Sequence, residues 1–260
     1  MPIEITVQTR IGLKCEGPVA QITLSNPSLN VIDIPMMDEL SAALAEMDTH
    51  SEISTIVFRG EGKCFSAGVD VAAHTPDKVT EMLEKFHGVI RALLATSKIT
   101  IAAVHGTCLG GGAELAMMCD VVITAADATW GFPEITVGCY PPVAATALSA
   151  LIGQKRAADL ILTGTTILGT EASEIGLATR AVAPDVLEPA VSEILARLQK
   201  LSSAVLPIAK KAIYAWDSIH FDKGLARSEK IYVEELMKTE DAEEGIRAFL
   251  EKRNPAWKGR

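Results

Sequence analysis

Short apolar runs alternate with longer amphipathic stretches over the first 185 or so residues of the chain. The runs are rich in β-branched residues, which is typical of buried strands, and the longer stretches repeat apolar residues at helical spacing. Strands that alternate with helices predict an α/β fold. The predicted strands are Ile3–Val7, Val19–Leu24, Thr55–Phe58, Ile99–Val104 and Val121–Thr124, and the predicted helices lie near Pro35–Met47, Asp77–Thr96 and Gly112–Met118.

The strand pattern ends near residue 185, and the rest of the chain repeats apolar residues at helical spacing only. No flexible linker, low-complexity segment or internal repeat interrupts the chain. We therefore predict a core of residues 1–200 and a helical region of residues 201–260. The helices predicted at this end are Val186–Leu198, Ser203–Ile219, Lys223–Met237 and Ala242–Glu251.

Composition and charge exclude several classes of function. The chain has 260 residues, 48% of them hydrophobic, and a net charge of −9 without a dense basic run, so nucleic acid and anionic membranes are not expected partners. The first residues lack a secretory signal, and no apolar run is long enough to span a membrane. The cysteines are odd in number and have no paired spacing, which predicts reduced thiols in a cytoplasmic protein: Cys15, Cys64, Cys108, Cys119 and Cys139.

A glycine-rich turn with the sequence CLGGGAEL, residues 108–115, follows the strand Ile99–Val104. We predict a turn over His105–Gly111 and a helix from Gly112, so that the glycine N–H groups lie at the positive end of that helix. Glu114, in the first helical turn, would stand close to any group that these N–H groups bind. An ordinary helix start with an acidic first turn is the alternative interpretation.

Two further stretches carry similar chemistry. Lys63–Asp70 follows a predicted strand and places a glycine before Val69, whose N–H is a second candidate donor. The stretch Trp130–Glu134 contains a second carboxylate, Glu134, twenty residues after Glu114. Each stretch alone is also compatible with a plain turn or a plain helix start.

The three stretches, in this order, resemble the crotonase family, the enoyl-CoA hydratase/isomerase group. The resemblance rests on Phe65–Asp70, Gly106–Glu114 and Pro133–Glu134, and it extends from about Ile11 to Arg260. It implies a spiral of ββα turns followed by a C-terminal helical region that packs homotrimers, often paired into hexamers.

The resemblance also implies a catalytic site. The N–H groups of Val69 and Gly111 would form an oxyanion hole for the carbonyl of an acyl-CoA thioester. Glu114 and Glu134 match the two carboxylates that hydratases of the family use on one water molecule, with Glu114 as base and Glu134 as acid. Because both glutamates are present, hydration is favoured over isomerisation.

Coenzyme A would enter as part of the substrate, and no separate cofactor or metal is expected. The lysine that usually follows the first oxyanion turn is missing, since the chain reads Asp70-Val71-Ala72. Lys252 matches a family position that contacts coenzyme A, although a solvated helix end is an equal alternative. The resemblance assigns substrate or coenzyme A binding to Ala67, Gly68, Asp70, Val71, Gly110, Pro133, Gly138, Tyr140 and Lys252.

The segment Tyr140–Ala145 departs from straight-chain hydratases because two prolines replace a glycine-rich loop. This feature is similar to the dienoyl-CoA hydratases of anaerobic aromatic degradation, which hydrate cyclohexa-1,5-diene-1-carbonyl-CoA. A general short- or medium-chain enoyl-CoA hydratase of fatty-acid oxidation and an isomerase remain the alternatives. Other segments with the same similarity are Asn30–Asp33, His74–Asp77, the helix around Phe86-His87-Gly88, and Tyr232–Met237.

The histidines show no metal-ligand spacing. His74 and His87 are candidates for the acyl pocket, with ordinary helix or surface positions as the commoner outcome. A ring-cleaving acyl-CoA hydrolase and an RNA-binding crotonase relative are further alternatives, and the second would need a basic helix that the chain does not show.

Overall fold

The fold is organised around a six-stranded sheet and a smaller sheet of three strands. The structure, a computed structural model, describes residues 9–214 and 217–260. The strands are β1 (Ile11–Glu16), β2 (Val19–Leu24), β3 (Thr55–Gly60), β4 (Ile99–Val104), β5 (Thr107–Leu109), β6 (Val121–Ala125), β7 (Thr129–Gly131), β8 (Thr166–Leu168) and β9 (Arg180–Val182). The α-helices are α1 (Ile34–Thr49), α2 (Val79–Ala95), α3 (Gly111–Met117), α4 (Pro142–Ile152), α5 (Gln154–Thr163), α6 (Gly169–Glu174), α7 (Leu187–Leu198), α8 (Val205–Tyr214), α9 (Asp217–Glu234) and α10 (Glu240–Leu250).

The large sheet has the order β1-β2-β3-β4-β6-β9, with β1 and β2 antiparallel and the other neighbours parallel. Strand β4 lies in the interior of this sheet, and all six of its residues are buried. A parallel strand covered on both faces is mostly apolar, which explains the sequence ITIAAV, and its polar residue Thr100 donates a hydrogen bond to Asp120. The small sheet has the order β5-β7-β8.

The two faces of the large sheet pack against different helices because side chains alternate along each strand. Ile56 and Phe58 of β3 belong to the main core, which also contains residues of α1 and α2. Val57, between them, belongs to a second cluster on the opposite face. Helix α7 completes that second cluster, whose buried members are Val57, Ile101, Ala103, Ile123, Leu187, Ala190 and Val191.

The sequence predicted four of the large-sheet strands and the helices α1, α2, α3, α7 and α10 to within two residues at each end. The predicted strand Ile3–Val7 lies outside the described residues. Strand β1 was missed because it alternates apolar residues with Gly12, Lys14 and Glu16, as an edge strand does. The predicted turn His105–Gly111 is corrected as well, since it contains the short strand β5.

The C-terminal helices differ from the prediction in their division. A helix that ends at Ile219 and another that begins at Lys223 are both wrong, because α9 runs without a break from Asp217 to Glu234. Residues 215 and 216 lie outside the described part of the chain. The predicted boundary near residue 200 falls in the turn between α7 and α8. The division of the chain into a core of residues 1–200 and a helical region of residues 201–260 stays a prediction.

Two C-terminal helices return to the core. Helix α9 packs on α4 and α2, and α10 packs on two 3-10 helices, Val71–His74 and Pro133–Val137. The approach of α10 depends on Gly245, because a Cβ atom there would stand 2.4 Å from the Val137 carbonyl oxygen. No helix among residues 9–214 and 217–260 is long and apolar enough to cross a membrane. The five cysteines are free thiols.

We expect Gly245→Ala to lower the free energy of unfolding by about 1–3 kcal/mol, because the new methyl group collides with backbone that cannot move away easily. The matched control is Gly88→Ala in α2, where an added Cβ meets no atom within 4 Å. That change should be neutral or stabilising by up to about 1 kcal/mol, since alanine favours a helix more than glycine does. Urea unfolding of the two variants checks the difference, and equal midpoints would contradict it.

Candidate active site

Two backbone segments meet at the end of the large sheet, and glycines allow the approach. The first segment is the loop from Ser66 to Asp70, and the second is the turn from Leu109 into α3. A Cβ atom on Gly68 would lie 3.3 Å from the Gly111 nitrogen, and one on Gly111 would lie 3.3 Å from the Val69 nitrogen. The N–H groups of Val69 and Gly111 are therefore close neighbours, in agreement with the predicted pair of donors.

The loop is fixed by hydrogen bonds on both sides of Val69. The Ile32 N–H donates to the Gly68 carbonyl at 2.8 Å, and the Asp70 N–H donates to the Ile32 carbonyl at 3.1 Å. Within residues 9–214 and 217–260, the N–H groups of Val69 and Gly111 donate to no backbone carbonyl. Backbone donors away from water normally have partners, so a free adjacent pair is suited to bind an oxygen atom of a ligand.

Glu114 lies in the first turn of α3 and is buried. Its Oε1 accepts a hydrogen bond of 2.8 Å from the Ala144 N–H, and the Val143 N–H supports the same carboxylate. Both donors belong to the first turn of α4, where Pro142 occupies the first helical position. Burial raises the pKa of Glu114 above its ordinary value, and these backbone donors oppose that rise.

Glu134 lies in the 3-10 helix that Pro133 begins. Its Oε1 stands over Gly110, where a Cβ atom would be only 2.6 Å away. Its Oε2 is buried and has no hydrogen-bond partner among the described residues. Burial and the neighbouring charge of Glu114 raise the pKa of Glu134, so the two carboxyl groups are coupled and do not ionise together easily.

One cavity of about 290 Å³ joins the two N–H donors and the two glutamates. Ten of the predicted site residues lie around it, namely Ala67, Gly68, Val69, Val71, Gly110, Gly111, Glu114, Pro133, Glu134 and Tyr140. The structure thus brings ten of the thirteen predicted site residues together around one cavity, and their catalytic and binding roles stay predictions.

Three predicted binding residues lie outside the cavity lining. Asp70 accepts a hydrogen bond from the Ala72 N–H and thereby caps the 3-10 helix that follows it. Gly138 has a φ of 74° and ends the 3-10 helix after Pro133, where a side chain would strike the Asp241 carbonyl. Lys252 is exposed just after α10. Coenzyme A contacts for these three residues stay a prediction.

Part of the remaining lining comes from helices outside the three family motifs. Helix α2 contributes Phe86 and His87, α9 contributes Tyr232, and α10 contributes Phe249. His74 also lines the cavity, so both candidate histidines belong to the pocket. Along the chain, these aromatic and histidine residues stand among apolar residues at ordinary helical spacing. Tyr232 and Phe249 reach the site only because α9 and α10 pack against the core.

A larger cavity of about 710 Å³ lies between α3, α4 and α9, away from both glutamates. The Tyr140 side chain contacts both cavities, and its hydroxyl donates to the Ser228 carbonyl at 2.6 Å. Because this larger space lacks Glu114, Glu134 and the N–H pair, the smaller cavity is the chemical site. No cluster of three or more His, Cys, Asp or Glu side chains in the described part of the chain could hold a metal ion.

Comparison with known proteins agrees with this geometry. Residues 14–260 match the family model described as enoyl-CoA hydratase/isomerase. The cyclohexa-1,5-dienecarbonyl-CoA hydratase of Thauera aromatica is 33% identical, with 99% of each chain aligned. A probable enoyl-CoA hydratase of Rhizobium meliloti is 39% identical over 95% of this chain and 97% of that protein.

A solved structure shows the same fold. The enoyl-CoA hydratase from Mycobacterium avium subsp. paratuberculosis superimposes with a TM-score of 0.87 at 27% identity, covering 96% of this chain and 98% of that one. With the family model matched over nearly the whole chain, the α/β architecture described above is the crotonase fold. The protein belongs to the enoyl-CoA hydratase/isomerase family and is an enzyme of that family.

Proposed function

We propose that the protein adds water to an α,β-unsaturated acyl-CoA thioester, and that the acyl group is the alicyclic diene cyclohexa-1,5-diene-1-carbonyl. The observation that carries the hydratase assignment is the presence, in one cavity, of two free backbone donors and two buried carboxylates. Addition of water to a conjugated thioester needs both parts, because negative charge develops on the carbonyl oxygen while one proton leaves the water and another reaches carbon.

The N–H groups of Val69 and Gly111 bind the thioester oxygen. When hydroxide character adds at the β-carbon, the π electrons move toward that oxygen, and the two donors stabilise the resulting enolate. Donors held in place by the surrounding backbone need no rearrangement as this charge forms. Each is worth about 3 kcal/mol of transition-state stabilisation in sites of this kind.

The surroundings of the two glutamates support a division of roles. Glu114 accepts hydrogen bonds from the first turn of α4, and the positive end of that helix favours the ionised carboxylate. Glu134 has a buried oxygen without a partner and a neighbouring negative charge, both of which favour the protonated form. Glu114 is therefore the base that takes a proton from water, and Glu134 is the acid.

The cavity lining supports a neutral, compact acyl group. No Lys or Arg side chain lies among the described lining residues, so a second carboxylate on the acyl group would be buried without a partner. Tyr140, Pro141 and Pro142 form part of the wall, and the two prolines restrict its backbone. The similarity to the Thauera aromatica cyclohexa-1,5-dienecarbonyl-CoA hydratase supports a ring of this type, and the Rhizobium meliloti relative supports a general enoyl-CoA hydratase as the alternative.

We also propose that the protein acts in the cytoplasm as a homotrimer or a dimer of trimers. Helix α8 and the turn before it expose several large apolar side chains that a partner subunit would cover. These side chains are Leu201, Val205, Ile208 and Ile213. Lys252 would then stand near the coenzyme A of its own or a neighbouring site.

The substrate proposal is tested by incubating the purified protein with cyclohexa-1,5-diene-1-carbonyl-CoA and, separately, with crotonyl-CoA. The gain of one water is followed by mass spectrometry. We expect the cyclic dienoyl thioester to be hydrated with the larger kcat/KM. A larger value for crotonyl-CoA would keep the hydratase assignment and overturn the choice of acyl group.

We expect Glu114→Gln and Glu134→Gln each to lower kcat by at least about 100-fold, because each removes a group that transfers a proton in the reaction. Glu174→Gln is the control, since Glu174 is exposed at the end of α6. Steady-state hydration of crotonyl-CoA measures the effect, because in this simple enoyl thioester the proton goes to the α-carbon beside the thioester carbonyl. Full hydration activity with either glutamate alone would overturn the two-carboxylate mechanism, and loss of hydration together with isomerisation of the double bond would indicate an isomerase.

Glu134→Gln should also change how stability depends on pH. The folded protein raises the pKa of this carboxyl above 4.5, so it retains a proton that the unfolded chain loses, and wild-type stability falls as the pH rises past that value. A neutral amide does not ionise and escapes this loss. We expect the variant to exceed wild type in free energy of unfolding by on the order of 1 kcal/mol at pH 8, with no advantage at pH 4. Denaturant titrations at both pH values check this, and an equal difference at both would contradict it.

A further inference from the structure

Besides the Oε2 of Glu134, two buried polar atoms of cavity-lining side chains make no hydrogen bond of normal geometry among residues 9–214 and 217–260, although the Cys139 thiol lies near the second of them. They are Nε2 of His87 and the hydroxyl of Tyr232, and both side chains are fully buried. A buried polar group without a hydrogen bond costs stability, so its retention calls for an explanation. Because both residues line the cavity that holds the glutamates, a bound substrate is the natural partner.

The His87 ring is held in place from behind. Its Nδ1 lies 2.7 Å from Glu229 Oε1, and the Arg91 guanidinium lies 2.9 Å from the same oxygen. The hydrogen bond from His87, together with Arg91, lowers the pKa of Glu229 and keeps it ionised. The ionised Glu229 holds Nδ1 and thereby fixes the orientation of the ring, which leaves Nε2 as the ring nitrogen available to a bound substrate.

Tyr232 is less suited to proton transfer. Burial raises the pKa of its hydroxyl well above the ordinary value, so the phenol holds its proton and serves as a hydrogen-bond donor. Tyr232 lies on α9 one helical turn after Glu229, and its ring contacts Tyr140 with 5.1 Å between ring centroids. The Tyr232 side chain therefore shapes the wall beside His87.

Hydration of a cyclic diene places two demands on the site. In a simple enoyl thioester the proton goes to the α-carbon, next to the carbonyl group held by the N–H pair. In the diene it goes to the far end of the conjugated system, across the ring from the carbon that receives the hydroxyl group. Glu134 lies against Gly110 at the oxyanion turn, whereas His87 belongs to a different wall formed by α2 and α9.

We propose that His87, oriented by Glu229, is the proton donor to the far end of the diene, an inference that rests on the function proposed above. Glu114 removes a proton from water as the oxygen bonds to the β-carbon, and the β-carbon double bond shifts its electrons into the thioester carbonyl. When the dienolate collapses, a new double bond forms beside the α-carbon and the distant carbon takes the Nε2 proton. Glu114 releases its proton to solvent and His87 regains one, so each turnover consumes one water.

The test compares His87→Asn with wild type on both thioesters in D₂O, with NMR to locate the deuterium in the product. Asparagine can still donate to Glu229 but cannot transfer a proton. We expect dienoyl-CoA turnover to fall by at least about 100-fold. The ratio of dienoyl-CoA to crotonyl-CoA turnover should fall at least tenfold, with less of the remaining label at the far end of the diene.

The control is His50→Asn, which removes the other His–Glu pair, His50 with Glu52, on the surface of the protein. It should leave the ratio and the label position as in wild type. Glu229→Gln provides a second variant in case His87→Asn does not fold, because glutamine keeps a hydrogen bond to Nδ1 and removes the charge. We expect it to lower the same ratio several-fold, and no change in the ratio would overturn the proposal.

The remaining outcomes separate this inference from the function on which it rests. Parallel loss of both activities in His87→Asn, with the label position unchanged, would mean that His87 only supports the cavity. Wild-type protein that hydrates crotonyl-CoA but not the diene would overturn the substrate and this inference together. Wild-type protein that hydrates neither thioester would overturn the hydratase assignment itself.

Discussion

The close contact between the Ser66–Asp70 loop and the turn before α3 is the constraint on which the active site depends. Gly68, Gly110 and Gly111 leave no room for a side chain, since a Cβ on any of them would approach a neighbouring atom within 3 Å. The contact leaves the N–H groups of Val69 and Gly111 side by side, with no backbone acceptor in the described part of the chain. Both sheets contribute to the rigidity of this contact, because the turn before α3 follows β5 of the small sheet and the Ser66–Asp70 loop comes a few residues after β3 of the large sheet.

The same contact sets the electrostatics of the glutamates. Glu114 lies on α3, the helix that begins at Gly111. Glu134 lies on the 3-10 helix that Pro133 begins, and its side chain extends over Gly110. Burial places both carboxyl groups in surroundings that disfavour the charged form. The backbone N–H donors of α4 stabilise the charge of Glu114 only. The asymmetry in hydrogen bonding separates a base from an acid without any difference in residue type. The unpaired oxygen of Glu134 is a cost to stability that the reaction requires.

Sequence patterns predicted the parts of the protein that are locally encoded. Strand β4 is mostly apolar because it is covered on both faces, and the motifs around Val69, Gly111 and Glu134 are continuous in the chain. Strand β1 was not predicted, since its apolar residues alternate with glycine and charged residues. The continuity of α9 was not predicted either, since the polar residues between Ile219 and Lys223 resemble a break between two helices. The predicted substrate contact of Gly138 stays a prediction, and the structure adds that the close approach of the Asp241 carbonyl at the start of α10 leaves no room for a side chain there.

The contacts between the cavity walls could not be predicted from local sequence patterns, because they form between segments far apart in the chain. His87 and Glu229 are 142 positions apart, and the pair exists only once α9 has packed against α2. The N–H pair and the glutamates come from continuous motifs of the core, whereas the facing wall combines α2 and the Tyr140–Pro142 segment with the C-terminal helices α9 and α10. Side chains of that wall can therefore change the acyl specificity while the N–H pair and the glutamates stay as they are.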